Sequence, residues 1–286
     1  GSVVGKESWI KDIRSFRAVM MPLDIPAKDS DIDVFLSREA LQEPWVDNAR
    51  RNYRFDMRSV LKDALTDLKL NNACIGFDDL AFAHRLNFDG ITPYDAYDVM
   101  MYARAVKLPK EIALLEQATQ LNELAIRKTM ADWVPEMTWK DLDLRYATHV
   151  AALGGFVKDP GGMVWGHPRG EDSALMLNAR NDDTPVPRGT HVMFDCHGTL
   201  DLYCWDGGKT WVIDGEPEGF GKELDKATQE VAPVLISAMK PGIRISELQA
   251  LARSIYRKCG VPDADRAIIF FHGLGLSHMD LELQDP

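Results

Sequence analysis

The sequence lacks several features that would assign a class of function at once. It contains no apolar run that approaches the length of a membrane span, and it shows no signal peptide. Its four cysteines are spread out without a Cys-x-x-Cys pair, a pattern typical of free thiols in a reducing compartment. We therefore expect a cytoplasmic protein without a membrane partner.

Positive charge is also scarce. The chain has 33 Lys and Arg residues against 44 Asp and Glu, which gives a net charge of −11. An acidic surface argues against nucleic acid as the main partner. The 286 residues suit two domains or one large one, and a hydrophobic content of 45% is ordinary for a globular protein.

The first hundred residues alternate between strand and helix patterns. Apolar segments at 16–21, 33–36 and 73–77 predict strands, and helical spacing of apolar residues predicts a helix over 58–70. This alternation predicts a layered α/β domain over residues 1–104. The opening Gly1-Ser2 without methionine is typical of a cloning remnant, so we expect the natural start of this domain to be missing.

Residues 105–286 are predicted to form a second domain. A long helix begins near Pro109, and a second begins after Thr138, which forms a capping box with Asp141. Further helices are predicted over 222–239 and 247–258, and extended segments over 161–165 and 268–271.

One stretch of this second domain carries candidate chemistry. The apolar run 192–194 predicts a buried strand; Asp195 follows it directly, and Asp206 comes eleven positions later. A hairpin could bring the two carboxylates together, an arrangement that hard divalent cations favour. The alternative is that both are turn residues beside Gly198 and Gly207.

Four motifs follow one another in order. They are Arg104 to Ile112, Asp195 with Tyr203-x-x-Asp206 and Lys209-Thr210, Lys240-Pro241-Gly242, and His272-Gly273-Leu274-Gly275. The series resembles the creatinase, aminopeptidase P, prolidase and methionine aminopeptidase family, the "pita-bread" or M24 metalloenzymes. The resemblance implies a pita-bread catalytic domain over 105–286, preceded by a smaller mixed-sheet α/β domain over 1–104.

The resemblance also implies a metal centre. Asp195 and Asp206 would bind metal ions, with Asp206 bridging two of them, and His272 would add an imidazole nitrogen. Mn, Co, Zn or Fe would all suit such ligands, and the ions would activate a water and polarise a scissile carbonyl. Family members are commonly dimers, so we expect a homodimer.

The sequence departs from the family pattern around this centre. The two glutamate ligands that follow the histidine in the family do not occur before Pro286, so we expect the C-terminal strands to be missing. His197 would share a strand face with Asp195; it could be an additional ligand or a hydrogen-bonding partner of a metal-bound carboxylate. Lys209 replaces an arginine and loses its bidentate fork.

The expected substrate pocket differs too. Asn178 stands where the family's peptidases carry a substrate histidine, and His167 is a candidate substitute. His278 lies one position from a second family histidine and could act in catalysis if its segment bulges. Tyr203 and Trp205 are candidate substrate contacts; Trp205 could hold a small cation or could pack in the core.

Three function classes therefore stay open. The first is a metal-dependent hydrolase of a C–N bond, of the Xaa-Pro aminopeptidase or prolidase type, with a short peptide substrate. The second is a small-molecule hydrolase or lyase on the same fold, like creatinase or the sulfoniopropionate (DMSP) lyases, which the lost histidine and the tryptophans favour. The third is a non-catalytic binding module, against which the retained metal ligands argue.

Overall fold

The computed structural model describes residues 9–10, 12–14, 16, 37–44, 46, 54, 56–167, 183–216 and 220–283. The chain divides into two compact units, residues 1–100 and 101–286. The strands predicted at 16–21 and 33–36 lie outside the described residues, apart from Phe16, which forms an isolated bridge with Arg54.

The first unit contains a parallel strand pair with a helix between the strands. Strands β1 (Ala73–Phe77) and β2 (Ile91–Asp95) pair along their whole length, and helix α2 (Leu80–Leu86) connects them. Helix α1 (Met57–Asp67) begins after Asp56, whose carboxylate accepts the Ser59 backbone N–H, as a helix cap does. The helix and strand predicted for this region are confirmed.

Helix α3 (Tyr97–Ala105) leads to the long helix α4 (Pro109–Ala131), and α5 (Trp139–Ala152) follows. Helix α5 begins with the predicted capping box: the Asp141 backbone N–H donates to Thr138 Oγ1, and the Thr138 N–H donates to the Asp141 carboxylate. Apolar residues at helical spacing on α4 and α5 face the sheet and build the main core of the second unit.

The sheet of the second unit is antiparallel. Strand β4 (His191–Leu200) lies in its middle, between β3 (Phe156–His167) on one side and β5 (Tyr203–Gly207) with β6 (Thr210–Val212) on the other. The core beneath it contains Leu121, Ile126, Leu142, Tyr146, Val164, Phe194 and Trp205. The α/β class is therefore confirmed, whereas the mixed-sheet architecture of the first domain stays a prediction.

Two further helices, α6 (Phe220–Ala238) and α7 (Ile245–Lys258), pack around a separate apolar cluster. Their predicted boundaries were right to within two residues. None of the four cysteines, all of which lie in the described ranges, forms a disulfide. None of the helices in the described ranges combines the length and apolarity that crossing a bilayer requires.

The prediction of a strand over residues 268–271 is wrong. Only Phe271–His272 (β7) is extended and paired, with Glu282–Leu283 (β8). Ile268 and Phe270 are 89% and 60% exposed, and no described strand pairs with them. An apolar run becomes a buried strand only where a neighbouring strand and a covering layer exist, and the sequence pattern does not report either.

Candidate metal centre

The β4–β5 hairpin gathers three ligand-type side chains on one face. His197 stands directly opposite Asp206 in the antiparallel register, and Asp195 lies two residues before His197. Opposed residues share a face, and so do residues two apart in a strand. One ligand atom from each of the three lies within 4.8 Å of the others. The carboxylates are therefore parts of one cluster, not isolated turn residues.

The Asp206 carboxylate also brings two imidazoles together. Its Oδ1 lies 2.8 Å from Nε2 of His197, and its Oδ2 lies 3.3 Å from Nε2 of His272. The Nδ1 of His272 lies 2.9 Å from the backbone carbonyl of Gly273. A histidine whose Nδ1 is held by a carbonyl keeps Nε2 for a metal or a carboxylate, which is the usual support of metal-binding histidines.

His278 reaches the same cluster from the loop after β7. Its ring centroid lies 4.8 Å from that of His197. Residues 275–280 form bends, not a strand, so strict alternation does not turn this side chain away. Burial lowers the pKa of His278, and the neighbouring His197 lowers it further. The structure thus brings His278 beside His197, in the cluster that also contains the other three predicted metal ligands, Asp195, Asp206 and His272.

The donor set fits a divalent ion. Two carboxylates and two imidazoles converge, and His197 is only 8% exposed. Within the described residues, the buried Nδ1 of His197 has no hydrogen-bond partner. Buried polar atoms rarely stay unpaired, so this nitrogen indicates that an ion or water belongs in the cluster. These side chains are therefore able to hold a metal.

The opposite face of the hairpin belongs to the core, which corrects the expected substrate contact of Trp205. Tyr203 and Trp205 alternate with Cys204 and Asp206 along β5, so they point away from the cluster. Trp205 is 1% exposed, and its indole N–H donates to the Tyr146 hydroxyl over 3.1 Å. Of the two roles considered for Trp205, packing in the core is therefore the one the structure supports, because its ring is buried.

Tyr203 forms a link to helix α4. Its hydroxyl donates to Oε1 of Glu111 over 2.9 Å, while Oε2 of Glu111 accepts the Leu108 backbone N–H at the start of the helix. The Leu108 N–H and then the Tyr203 hydroxyl lower the pKa of Glu111. These contacts give Tyr203 a structural partner, and its role as a substrate contact stays a prediction.

Sequence reasoning missed a polar network that holds the hairpin. The Tyr146 hydroxyl donates to Oδ1 of Asn122 over 2.7 Å, and the Asn122 amide donates to the Gly207 carbonyl over 3.0 Å. Asn122 lies on the buried side of α4, where it is 5% exposed. A polar residue beside the apolar stripe of Ala118 and Ala125 was the signal that could have revealed it.

A buried ion-pair cluster fixes the loop that follows His272. Asp280 is 1% exposed; its Oδ2 lies 3.0 Å from Nζ of Lys107, and its Oδ1 pairs with the Arg104 guanidinium. Gly275 lies against this carboxylate, with space for only a hydrogen in place of a side chain. The motif that begins at Arg104 thus supplies both cations of the cluster, a role that its sequence did not reveal.

The remaining predicted residues are less well placed. Asn178 lies outside the described residues, and so does the side chain of His167, whose backbone ends β3 opposite His191. Lys209 lies 3.7 Å from Glu123 and not in the cluster. Their roles at a substrate pocket stay predictions.

Comparison with known proteins identifies the family of the second unit. The profile of Metallopeptidase family M24 matches residues 113–285. The Xaa-Pro dipeptidase of Pyrococcus furiosus is 24% identical over 178 residues, which cover 62% of this chain and 48% of that protein. The Xaa-Pro dipeptidase of Pyrococcus horikoshii is 25% identical over a segment of the same length. The chain therefore spans about half the length of the curated relatives it matches.

Solved structures show the same fold. The X-Pro aminopeptidase from Thermotoga maritima MSB8 superposes with a TM-score of 0.60 at 23% identity, over 85% of this chain and 69% of that one. The prolidase from Pyrococcus furiosus gives a TM-score of 0.60 at 18% identity, over 79% and 65%. The family match, the shared fold and the ordered motifs lead to one conclusion: the chain belongs to metallopeptidase family M24, the pita-bread enzymes.

Proposed function

We propose that the protein is a metal-dependent hydrolase of a C–N bond that acts on Xaa-Pro dipeptides or similar short peptides. The observation that carries this proposal is the cluster around Asp206 in an M24 chain: a ligand atom of Asp195 lies within 4.8 Å of one of Asp206, and Nε2 of His272 lies 3.3 Å from the Asp206 carboxylate. The names of the Pyrococcus relatives suggest the substrate class, although those proteins are about twice as long as the matched segment.

Asp195, Asp206 and His272 would hold the metal, and the family resemblance predicts two divalent ions in the full-length protein. Such ions supply Lewis-acid polarisation of a carbonyl and a lowered pKa for a bound water. Manganese, cobalt, zinc and iron are the candidates. Burial of the side chains in this cluster strengthens their electrostatic effect on a substrate.

We assign proton transfer to His278. Burial lowers the pKa of His278, which favours the neutral imidazole near pH 7. A neutral imidazole can take a proton from an attacking group and return it to a leaving amine. On their sequence positions alone, Asn178 is proposed as a catalytic residue and His167 as a substrate-binding residue.

The second candidate is a small-molecule hydrolase or lyase, of the creatinase or sulfoniopropionate-lyase type. Asn178 favours it, because an amide replaces the histidine expected to meet a peptide. The tryptophan argument for this candidate no longer applies to Trp205, which lies in the core. A non-catalytic binding module is disfavoured, because a module without chemistry has no need of three converging metal ligands.

The test uses full-length protein, stripped with a chelator and reconstituted with each candidate metal. We expect cleavage of Xaa-Pro dipeptides that requires a divalent ion. Asp206→Asn should lower the rate by more than about 100-fold, because even residues that only orient metal ligands cost about 10–100-fold. Asp214→Asn, in a surface ion pair with Arg188, is the matched control and should leave the rate unchanged.

Other outcomes separate the alternatives. Turnover of creatine-like or betaine-like compounds, with the dipeptides untouched, would favour the second candidate. Full-length protein that is active while free of metal would rule out both metal-dependent hypotheses. Homodimerisation, which the family resemblance predicts, is measurable on the same samples by light scattering.

A further inference from the structure

We infer that His197 is a direct metal ligand that adds a second imidazole to the centre beside His272, so that the centre selects Zn²⁺ over Mn²⁺. The inference deepens the proposed function and rests on it, because it concerns the same centre. It assigns a metal preference to one residue that the M24 motif does not include.

The position of His197 is the first argument. The strand register sets it opposite Asp206 and on the same face as Asp195. One of its ring nitrogens belongs to the group of ligand atoms that lie within 4.8 Å of one another. Its side chain therefore lies in one cluster with the two carboxylates.

The state of its two nitrogens is the second argument. Nε2 lies 2.8 Å from Oδ1 of Asp206, whereas the buried Nδ1 has no partner within the described residues. Buried polar atoms are nearly always paired, so the unpaired Nδ1 leaves His197 a nitrogen for a metal ion in addition to its contact with Asp206. The neighbouring ring of His278, 4.8 Å away by centroids, does not satisfy it.

The chemistry of the resulting set is the third argument. Carboxylate and water ligands suit Mn²⁺ and Mg²⁺, whereas imidazole favours Zn²⁺ and similar borderline cations. His272 alone would contribute one imidazole beside Asp195 and Asp206. His197 would bring the number of imidazole ligands from one to two, so it should raise the affinity for Zn²⁺ more than the affinity for Mn²⁺.

The experiment compares the two metals on stripped, full-length protein by isothermal titration calorimetry. We expect His197→Ala to weaken Zn²⁺ binding by at least about 10-fold and Mn²⁺ binding by less than about threefold. The matched control is His149→Ala. His149 lies on α5, where its Nε2 is 2.9 Å from Asp132, outside the cluster, and its loss should change neither affinity.

X-ray absorption at the zinc edge gives a readout that is independent of activity. With one equivalent of Zn²⁺, imidazole scattering in His197→Ala should correspond to one histidine fewer than in the wild type. If the variant does not fold, as circular dichroism would show, the spectrum of His278→Ala decides: without His278, it should still require more than the single imidazole of His272.

Two results would overturn the inference. Equal losses of Zn²⁺ and Mn²⁺ affinity would assign His197 to orienting Asp206, and a wild-type spectrum with one imidazole would exclude it as a ligand. In either case the protein would still bind metal and cleave its substrate, so the proposed function would stand. Wild-type protein that binds no divalent ion would overturn both.

Discussion

Tyr146 and Asn122 form a 2.7 Å hydrogen bond in the core beneath the metal-binding hairpin. The same Tyr146 hydroxyl accepts the indole N–H of Trp205, and the same Asn122 side chain holds the Gly207 carbonyl. Two helices and the hairpin are thus joined through one hydroxyl. The hairpin that carries Asp206 is therefore anchored on its core side by hydrogen bonds of Tyr146 and Asn122, which are not members of the metal-binding cluster.

We expect Tyr146→Phe to lower the free energy of unfolding by about 1–3 kcal/mol, the usual cost of leaving buried polar atoms unpaired. Its partners Asn122 and Trp205 are buried, at 5% and 1% exposure. Urea denaturation would measure the change. The matched control is Tyr102→Phe, at a tyrosine that is 68% exposed, and it should stay within about 0.5 kcal/mol.

Asp280→Asn should be more damaging. The Asp280 carboxylate is buried and pairs with both Arg104 and Lys107, so its loss leaves two cations facing a neutral amide. Breaking a buried ion pair from one side costs about 3–5 kcal/mol. Thermal or urea unfolding would measure this loss, with Asp265→Asn as the matched control. The ion pair of Asp265 with Arg257 is exposed, so its removal should lower the free energy of unfolding by less than about 1 kcal/mol. Equal effects of the two changes would contradict a special role for Asp280.

Gly198→Ala should destabilise the protein by about 1–3 kcal/mol, the range for an overpacked core. A methyl group at this position would overlap the six-membered ring of Trp205 and would lie 2.6 Å from the Phe156 carbonyl oxygen. In a Trp205→Phe background the same change should cost less, because a smaller ring leaves part of the space. Strictly additive effects in this double-mutant cycle would contradict the proposed overlap.

Glu111 should make the start of α4 sensitive to acid. Its pKa is lowered from the ordinary 4.5 by the Leu108 N–H and the Tyr203 hydroxyl. A lowered pKa adds stability that is complete above the unfolded value and is lost as the pH falls through the folded value. Glu111→Gln should therefore be less stable than wild type at pH 7, with a difference that shrinks below about pH 4.5. Unfolding curves at several pH values would show whether the two proteins converge.

Sequence patterns predicted the parts of this molecule that depend on local order. The long helices, the Thr138 cap and the β4–β5 hairpin all have periodic or turn signals, and the M24 motifs indicated the family correctly. The same reasoning could have placed Trp205 as well. It is adjacent to Asp206 in a strand, so the two cannot share a face.

Other features had no local signal. Asp280 has partners 173 and 176 residues away, so neither its burial nor its pairing appears in any periodic pattern. The segment at 268–271 was misjudged for a related reason, because an apolar run does not show whether a neighbouring strand exists. The bend that brings His278 to His197 likewise depends on how the whole loop is anchored.

The long sequence separation between Asp280 and its partners Arg104 and Lys107 has a consequence for the order in which the protein folds during synthesis. A nascent chain can form the β4–β5 hairpin soon after residue 207 has left the ribosome, because its two strands are neighbours in sequence. Arg104 and Lys107 cannot form their ion pairs until Asp280 has been synthesised. At usual rates of synthesis this takes on the order of several seconds after residue 207. Only then is the loop with His272 and His278 tied down. We therefore expect the two carboxylates to be in place well before the imidazoles from this loop join them.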